Sequence, residues 1–248
     1  MFSACLTSPQ LGTFVHGGVS PGSLRPSCTL AKFSSNAITP IDHQGPARSH
    51  HAGALLSQDR WVLVGGWDGR GRVRDVHMLD LNTITWSSYA LWTGPPPING
   101  PNCVPCEPPV GLSGHSVTRI NDQCLLVIGR EGGIKTQRRF TSIFYLWLDH
   151  AHRTYFYAEG GLNVDSRSGH SAWGLSRSEL CLFGGRRSDP IQVLEIGIQE
   201  LATSNHPEIL TRIQALGLKP WPGLRLHGLR YHAWIRLAPR VFLVHGVP

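Results

Sequence analysis

The sequence predicts an all-β fold built from repeated units, and three observations support this prediction. Short apolar runs that end in paired glycines recur along the 248 residues, most clearly at residues 61–64, where Gly65 and Gly66 follow. Glycine and proline number 28 and 18, a content typical of many short strands joined by turns. Histidines precede the apolar runs at His51, His115, His170 and His232.

The best-defined unit covers residues 48–110. We predict a buried strand at residues 61–64, because this run is short, apolar and β-branched. The paired glycines end it, since glycine permits positive φ and a close approach of the backbone. A second strand at residues 76–81 alternates into Asp80, and Trp86 offers a large apolar side chain to a neighbour. One such unit cannot bury its own faces, so copies must lie beside it.

The remaining units repeat this order in weaker form. Residues 1–47 form a degraded first unit, 111–166 a third, 167–225 a fourth and 226–248 a partial fifth. In the third unit Arg130 replaces the second glycine, so we expect its turn to differ. The residues at equivalent structural positions of these later units are Gly129, Asp149, Gly184, Gly185 and Gly246.

The fourth unit also contains a segment with helical spacing. Apolar residues at positions 209, 210, 213 and 216 follow the helical period. Pro207 suits the first helical position, and Gly217 suits the stop at the C-terminal end. We therefore predict one short inserted helix near residues 207–216. Such a helix either packs against its own unit or docks a partner.

These motifs resemble the kelch β-propeller family. The resemblance rests on the strings at residues 48–51, 64–69, 129–139, 166–170 and 228–232, and kelch units recur with a period of about 50 residues. It implies a single domain, a kelch-type β-propeller of four-stranded blades. About four and a half blades are present, so we expect the propeller to be incomplete, with open sheet edges that invite association.

The charge and the composition narrow the classes of partner. The net charge is +7, carried mainly by arginines that are spread along the chain, which favours an acidic protein partner over nucleic acid. No apolar run approaches the length of a membrane span, and the first residues do not resemble a signal peptide. We therefore expect neither a nucleic-acid nor a membrane partner, and an intracellular location, cytoplasmic or nuclear.

We expect no catalysis, no metal and no cofactor. Cys103 and Cys106 form a Cys-x-x-Cys pair in a proline-rich loop, but no second pair follows to complete a zinc site. The repeat histidines lack the spacing of metal ligands, and the resemblance implies that they serve internal packing. No nucleophile, phosphate-loop or dinucleotide motif is present.

Surface recognition is the function that we expect, through loops that follow the glycine motifs on one face of the propeller. A tryptophan beside several arginines is typical of protein interfaces, and a positive patch suits an acidic segment. The alternative is that the tryptophan packs under its own loop and the arginines are merely solvated. The candidate partner-binding residues are Trp67, Asp68, Arg70, Arg130, Glu131, Lys135, Gln137, Arg138, Arg139, Arg186 and Arg187.

The resemblance also suggests candidates for the protein partner. It implies an A-type cyclin, although the residues themselves contain no cyclin-binding feature. The alternative is a substrate-receptor subunit of a ubiquitin-ligase assembly, as many kelch proteins are. Against this alternative, no BTB-like helical domain or adaptor box is recognisable in the sequence. No feature indicates an oligomeric state.

Overall fold

The computed structural model describes residues 3–20, 22–34, 37–94, 104–131, 139–163, 168–174, 179–183, 185, 192–203, 206–220, 230–238 and 241–247. In chain order, the strands are β1 Ala4–Ser8, β2 Gly12–His16, β3 Leu30–Ser34, β4 Ala37–Ile41, β5 Ala52–Leu55, β6 Arg60–Trp67, β7 Arg72–Asp80, β8 Thr85–Leu91, β9 Ser116–Arg119, β10 Cys124–Glu131, β11 Arg139–Asp149, β12 Thr154–Asn163, β13 Ser171–Gly174, β14 Glu179–Phe183, β15 Gln192–Thr203, β16 His206–Pro220, β17 Arg230–Ala238 and β18 Val241–Val247.

These strands form antiparallel groups of four, which we number blades 1 to 4. Strands β1–β4 form one four-stranded sheet, and β13–β16 form another. The groups β5–β8 and β9–β12 join into one eight-stranded sheet, because the end of β8 pairs in parallel with β12. Strands β17 and β18 form a two-stranded sheet. This architecture confirms the predicted all-β fold with four-stranded blades.

The first strand of each blade contacts the first strand of the next. Strand β1 contacts β5, β5 contacts β9, and β9 contacts β13. The segments just ahead of these strands, which we call the lead-in segments (residues 48–51, 112–115 and 168–170), are also joined by their backbones. Gly114 N donates to His50 O at 3.1 Å, and Gly169 N donates to Gly114 O at 2.7 Å. Successive blades are therefore linked at equivalent positions.

The hydrophobic core lies between successive blades. In β6, Trp61 and Leu63 pack in a cluster shared with blade 1, whereas Val62 and Val64 pack in a cluster shared with blade 3. Strands β10 and β11 divide their apolar side chains in the same way between blades 2 and 4. Because both faces of these strands are buried, their sequences are continuous apolar runs and do not alternate.

The prediction of a short helix near residues 207–216 is wrong. This segment belongs to β16, which pairs antiparallel with β15 from Thr203↔His206 to Gln192↔Pro220. A helix of about ten residues is marginal without a surface to lie on, whereas the long hairpin pairs the backbone groups of both strands. The part of the chain that the structure describes contains no helix, and hence none long and apolar enough to cross a membrane.

The paired glycines of blade 2 are required by conformation and by space. Gly65 and Gly66 have φ of 61° and 101°, in the left-handed region that favours glycine. A Cβ atom at Gly66 would lie 2.6 Å from Ser49 O and 2.7 Å from His51 Cβ. A Cβ atom at Gly65 would lie 2.7 Å from Leu112 Cβ. The end of β6 thus packs closely on the lead-in segments of its own blade and of blade 3.

Blade 3 makes the same bend with one glycine. Gly129 has a φ of 62°, close to the value at Gly65. The pairing of β10 with β11 shifts between Ile128 and Arg130, just as the pairing of β6 with β7 shifts between Val64 and Gly66. The β-bulge therefore falls at the equivalent place in both blades, although Arg130 replaces the second glycine in blade 3.

Replacing Gly66 with valine should destabilise the fold by more than about 2 kcal/mol, because valine resists positive φ and its side chain would overlap the lead-in segment. The free energy of unfolding is measured by urea titration. Gly71→Val is the matched control, since nothing lies within 4 Å of a Cβ atom at Gly71. Equal stability of Gly66→Val and the control would contradict the close packing at the end of β6.

Candidate functional site

Each blade has turns at two opposite ends, because its strands are antiparallel. The turn between the second and third strands lies at the end where the chain enters and leaves the blade. We call this end the loop face; in blades 1 and 2 its described residues are 17–20, 22–29, 42–51 and 68–71. The opposite end is the turn face, which contains residues 56–59, 81–84, 120–123 and 150–153.

On the loop face, the β6–β7 turn docks against the β2–β3 loop of blade 1. Trp67 Nε1 donates to Leu24 O at 3.4 Å. A Cβ atom at Gly69 would lie 3.2 Å from Pro26 Cδ, so the two loops are in direct contact. The backbone of Trp67 also pairs with Ser49 through hydrogen bonds of 2.7 and 3.0 Å. These two loops, from blades 1 and 2, therefore form one continuous surface.

Asp68 closes the β6–β7 turn. Its Oδ1 atom accepts hydrogen bonds from Arg70 N at 2.8 Å and from Gly71 N at 2.7 Å. Burial acts to raise the pKa of Asp68, but the backbone N–H groups of Gly71 and Arg70 lower the pKa below its ordinary value. The carboxylate of Asp68 is thus engaged within its own turn.

The docked loops present apolar surface together with positive charge. Leu24 is 88% exposed, Arg25 and Arg70 are exposed, and Trp67 is half-buried. Within the described residues, neither Arg25 nor Arg70 takes part in an ion pair. We call Leu24, Arg25, Trp67 and Arg70 the junction patch. Trp67 packs against the loop of the neighbouring blade while part of its ring stays accessible.

Arg48 lies near this surface but is engaged within its own blade. Its guanidinium pairs with the carboxylate of Asp75, and His77 Nε2 lies 2.9 Å from Asp75 Oδ2. Ser88 Oγ lies 3.1 Å from His77 Nδ1. Burial acts to raise the pKa of Asp75, but the hydrogen bond from His77 and the charge of Arg48 lower it. This network ties the lead-in segment of blade 2 to β7 and β8.

The other predicted partner-binding residues are described only in part. Arg130 and Glu131 end β10, Arg139 begins β11, and Glu131 pairs with Arg139 in the ladder. The described end of β10 and the described start of β11 therefore lie at the loop face of blade 3. The residues that lie outside the described part of the chain are Lys135, Gln137, Arg138, Arg186 and Arg187.

Two residues of the junction patch were missed by the sequence reasoning. Leu24 and Arg25 lie in the loop that follows Gly17 and Gly18, just as Trp67 follows the paired glycines of blade 2. The signal was present, because the first unit carries the same glycine pair and its loop must therefore emerge on the same face. The weak definition of this unit concealed it.

Three of the repeat histidines, His51, His115 and His170, lie buried at the joints between blades. His51 Nε2 lies 3.1 Å from His16 Nδ1 in blade 1. His115 Nε2 donates to Val64 O of blade 2 at 3.1 Å, and His170 Nε2 lies 2.9 Å from the hydroxyl of Ser116 in blade 3. Each histidine therefore reaches from its own lead-in segment back to the preceding blade.

Burial keeps several of these histidines neutral. Burial, reinforced by the charge of His43, lowers the pKa of His16 to about 3. Burial also lowers the pKa of His51 well below its ordinary value and that of His115 to about 4, although the hydrogen bond to Val64 O opposes this shift. Among the described residues, no group of three or more His, Cys, Asp or Glu side chains could hold a metal ion.

Asp80 and Asp149 close equivalent turns on the turn face. Asp80 Oδ1 accepts hydrogen bonds from the backbone N–H groups two and three residues downstream, both at 3.0 Å. Asp149 Oδ1 makes the same two bonds at 3.0 and 3.1 Å. In the strands that follow, Trp86 and Tyr155 pack toward the preceding blade. His232 and Gly246 lie in β17 and β18, and Gly184 lies outside the described residues.

Known proteins similar to this chain carry kelch names, although no protein-family model matches it. The chain is 41% identical to Kelch domain-containing protein 9 of Mus musculus over 186 residues, which are 71% of this chain and 50% of that protein. It is 36% identical to the Homo sapiens protein of the same name over 261 aligned residues, which cover 99% of this chain and 71% of that protein. Kelch domain-containing protein 1 of Mus musculus is 24% identical over 194 residues, 69% of this chain and 44% of that protein.

The fold should lose stability as the pH falls below about 6.5, because His115 is neutral when folded but binds a proton once unfolded. His115→Gln keeps an N–H donor for Val64 O and removes the titrating group. Between pH 6.5 and the folded pKa of about 4, the free energy of unfolding should then depend on pH less steeply, by up to about 1.4 kcal/mol per pH unit.

Urea unfolding at a series of pH values measures this slope. Carboxylates such as Asp75 contribute to acid unfolding in both proteins, so the difference between the two slopes isolates the histidine. Identical slopes for His115→Gln and the parent chain would contradict a buried, neutral His115.

Proposed function

This chain belongs to the kelch-repeat family, and we propose that it is a non-catalytic propeller that binds a protein partner through its loop face. One observation carries the proposal: the β2–β3 loop of blade 1 and the β6–β7 turn of blade 2 dock on each other and present a joint exposed surface. The chain spans about half the length of the Mus musculus Kelch domain-containing protein 9, so the proposal concerns the propeller blades that the chain contains.

The composition of the loop face supports recognition of protein. Loops that are held by a rigid scaffold are common carriers of binding residues. Trp67 is accessible in part, and Arg25 and Arg70 are exposed beside it; tryptophan and arginine are enriched among residues that dominate binding energy. With a net charge of +7, the chain should also attract acidic partners and orient them during association.

An A-type cyclin is the first candidate partner, because the resemblance to kelch proteins that contain the same motifs suggests it. A substrate-receptor role in a ubiquitin-ligase assembly is the alternative, in which the same loop face would hold the substrate. Affinity purification separates the two: recovery of an A-type cyclin supports the first, and recovery of a cullin adaptor supports the second.

We also propose that this interaction takes place inside the cell, in the cytoplasm or the nucleus. Within the described residues Cys5, Cys28 and Cys106 are free thiols. Free thiols suit a reducing compartment.

Reversing the charge at Arg138 and Arg139 should weaken binding to a purified A-type cyclin by about tenfold or more, because the loop would then repel an acidic partner. The dissociation constant is measured by titration, and the melting temperature should stay that of the parent chain. Arg60→Glu is the matched control, since Arg60 is exposed at the opposite end of blade 2. If the double variant binds with the same affinity as the parent chain, this loop is not part of the interface. If the parent chain does not bind the cyclin, the cyclin is not the partner.

A further inference from the structure

The junction patch has a definite shape because two blades build it together. Trp67 Nε1 donates to Leu24 O at 3.4 Å, and Gly69 approaches Pro26 closely enough that a Cβ atom would lie 3.2 Å from Pro26 Cδ. Behind it, Trp67 is paired with Ser49 through two backbone hydrogen bonds. A surface held in this way is organised before a partner arrives, so little ordering free energy opposes binding.

The centre of the patch is apolar and open to solvent. Leu24 is 88% exposed, although its carbonyl oxygen accepts a hydrogen bond from half-buried Trp67 and half-buried Pro26 lies two residues further along the chain. An exposed leucine beside an accessible tryptophan forms a contact surface for an apolar side chain. A partner residue placed there would be screened from water on one side by Trp67.

The rim of the patch is positive. Arg25 comes from blade 1 and Arg70 from blade 2, and within the described residues neither is paired with a carboxylate. The nearby carboxylates are engaged elsewhere: Asp68 by backbone N–H groups and Asp75 by Arg48 and His77. The charge that complements this rim is therefore negative on both sides of an apolar centre.

We propose that the junction patch binds an acidic peptide segment of a partner protein, with one aliphatic side chain of the segment resting on Leu24 and Trp67. This proposal rests on the proposed function and adds the chemistry of the partner. A phosphate polymer fits the patch less well, because the exposed leucine at its centre has no group that binds a phosphate.

Fluorescence anisotropy with labelled synthetic peptides tests the proposal on the full 248-residue chain. The probe is a peptide with one leucine flanked by glutamates. Matched peptides carry glutamine in place of glutamate or serine in place of leucine, and a single-stranded DNA oligonucleotide serves as a polyanion without an apolar anchor. We expect the leucine–glutamate peptide to bind about tenfold or more tightly than either matched peptide, with an affinity that falls as salt rises.

The variants locate the site. Leu24→Ser and the double variant Arg25→Glu/Arg70→Glu should each weaken binding of the leucine–glutamate peptide by about tenfold, whereas Arg60→Glu, on the turn face of the same blade, should bind like the parent chain. Equal binding of the glutamate and glutamine peptides, or unchanged binding by the patch variants, would overturn the proposal. Tighter binding of the oligonucleotide that survives Leu24→Ser would also overturn it, because the patch would then be a general polyanion surface.

The outcome is separable from that of the proposed function. If the patch variants bind a purified A-type cyclin normally while the Arg138→Glu/Arg139→Glu variant does not, binding through the loop face is supported and the proposed role of the junction patch is wrong. If the patch-dependent peptide preference is seen but no cyclin binds, the junction patch stands and the partner is a different protein.

Discussion

The close approach of glycine backbone to the neighbouring lead-in segment is the constraint on which the rest of the structure depends. A Cβ atom at Gly17 would overlap Arg48 O, one at Gly65 would lie 2.7 Å from Leu112 Cβ, and one at Gly114 would lie 3.2 Å from Gly169 N. Each contact joins one blade to the next. Because no side chain intervenes, the blades come close enough for the buried histidines to reach back across the joint, and the loops beside each joint become neighbours.

This constraint also separates stability from recognition within the molecule. The apolar side chains of β6, β10 and β11 are buried in the clusters between blades. The guanidinium of Arg48 is likewise already paired, with the carboxylate of Asp75. On the loop face of blades 1 and 2, the loops that the joint brings together keep Leu24, Arg25 and Arg70 exposed, and these side chains are available to the proposed partner.

The sequence predicted the second strands of blades 2 and 3 better than the first strand of blade 2. Strands such as β6 and β10 were predictable because a buried apolar run that ends at glycine is a strong local signal. Strand β5, Ala52–Leu55, has little β-propensity and is a strand because β6 and β9 lie beside it. Helical spacing misled at β16 because four apolar positions also fit a strand of a long hairpin. Trp67 and Arg70 could be named from the sequence as candidates, but their position beside Leu24 depends on contact between two blades, which local patterns do not encode.

The most direct test of the central claim is amide hydrogen exchange of the chain with and without a purified A-type cyclin. The account predicts that residues 22–27 and 67–72, which meet at the joint between blades 1 and 2, exchange more slowly in the complex. The turns at residues 81–84 and 150–153, on the turn face, should exchange at unchanged rates. Slower exchange confined to the turn face in the presence of bound cyclin would contradict the account, because the partner would then occupy the wrong end of the propeller.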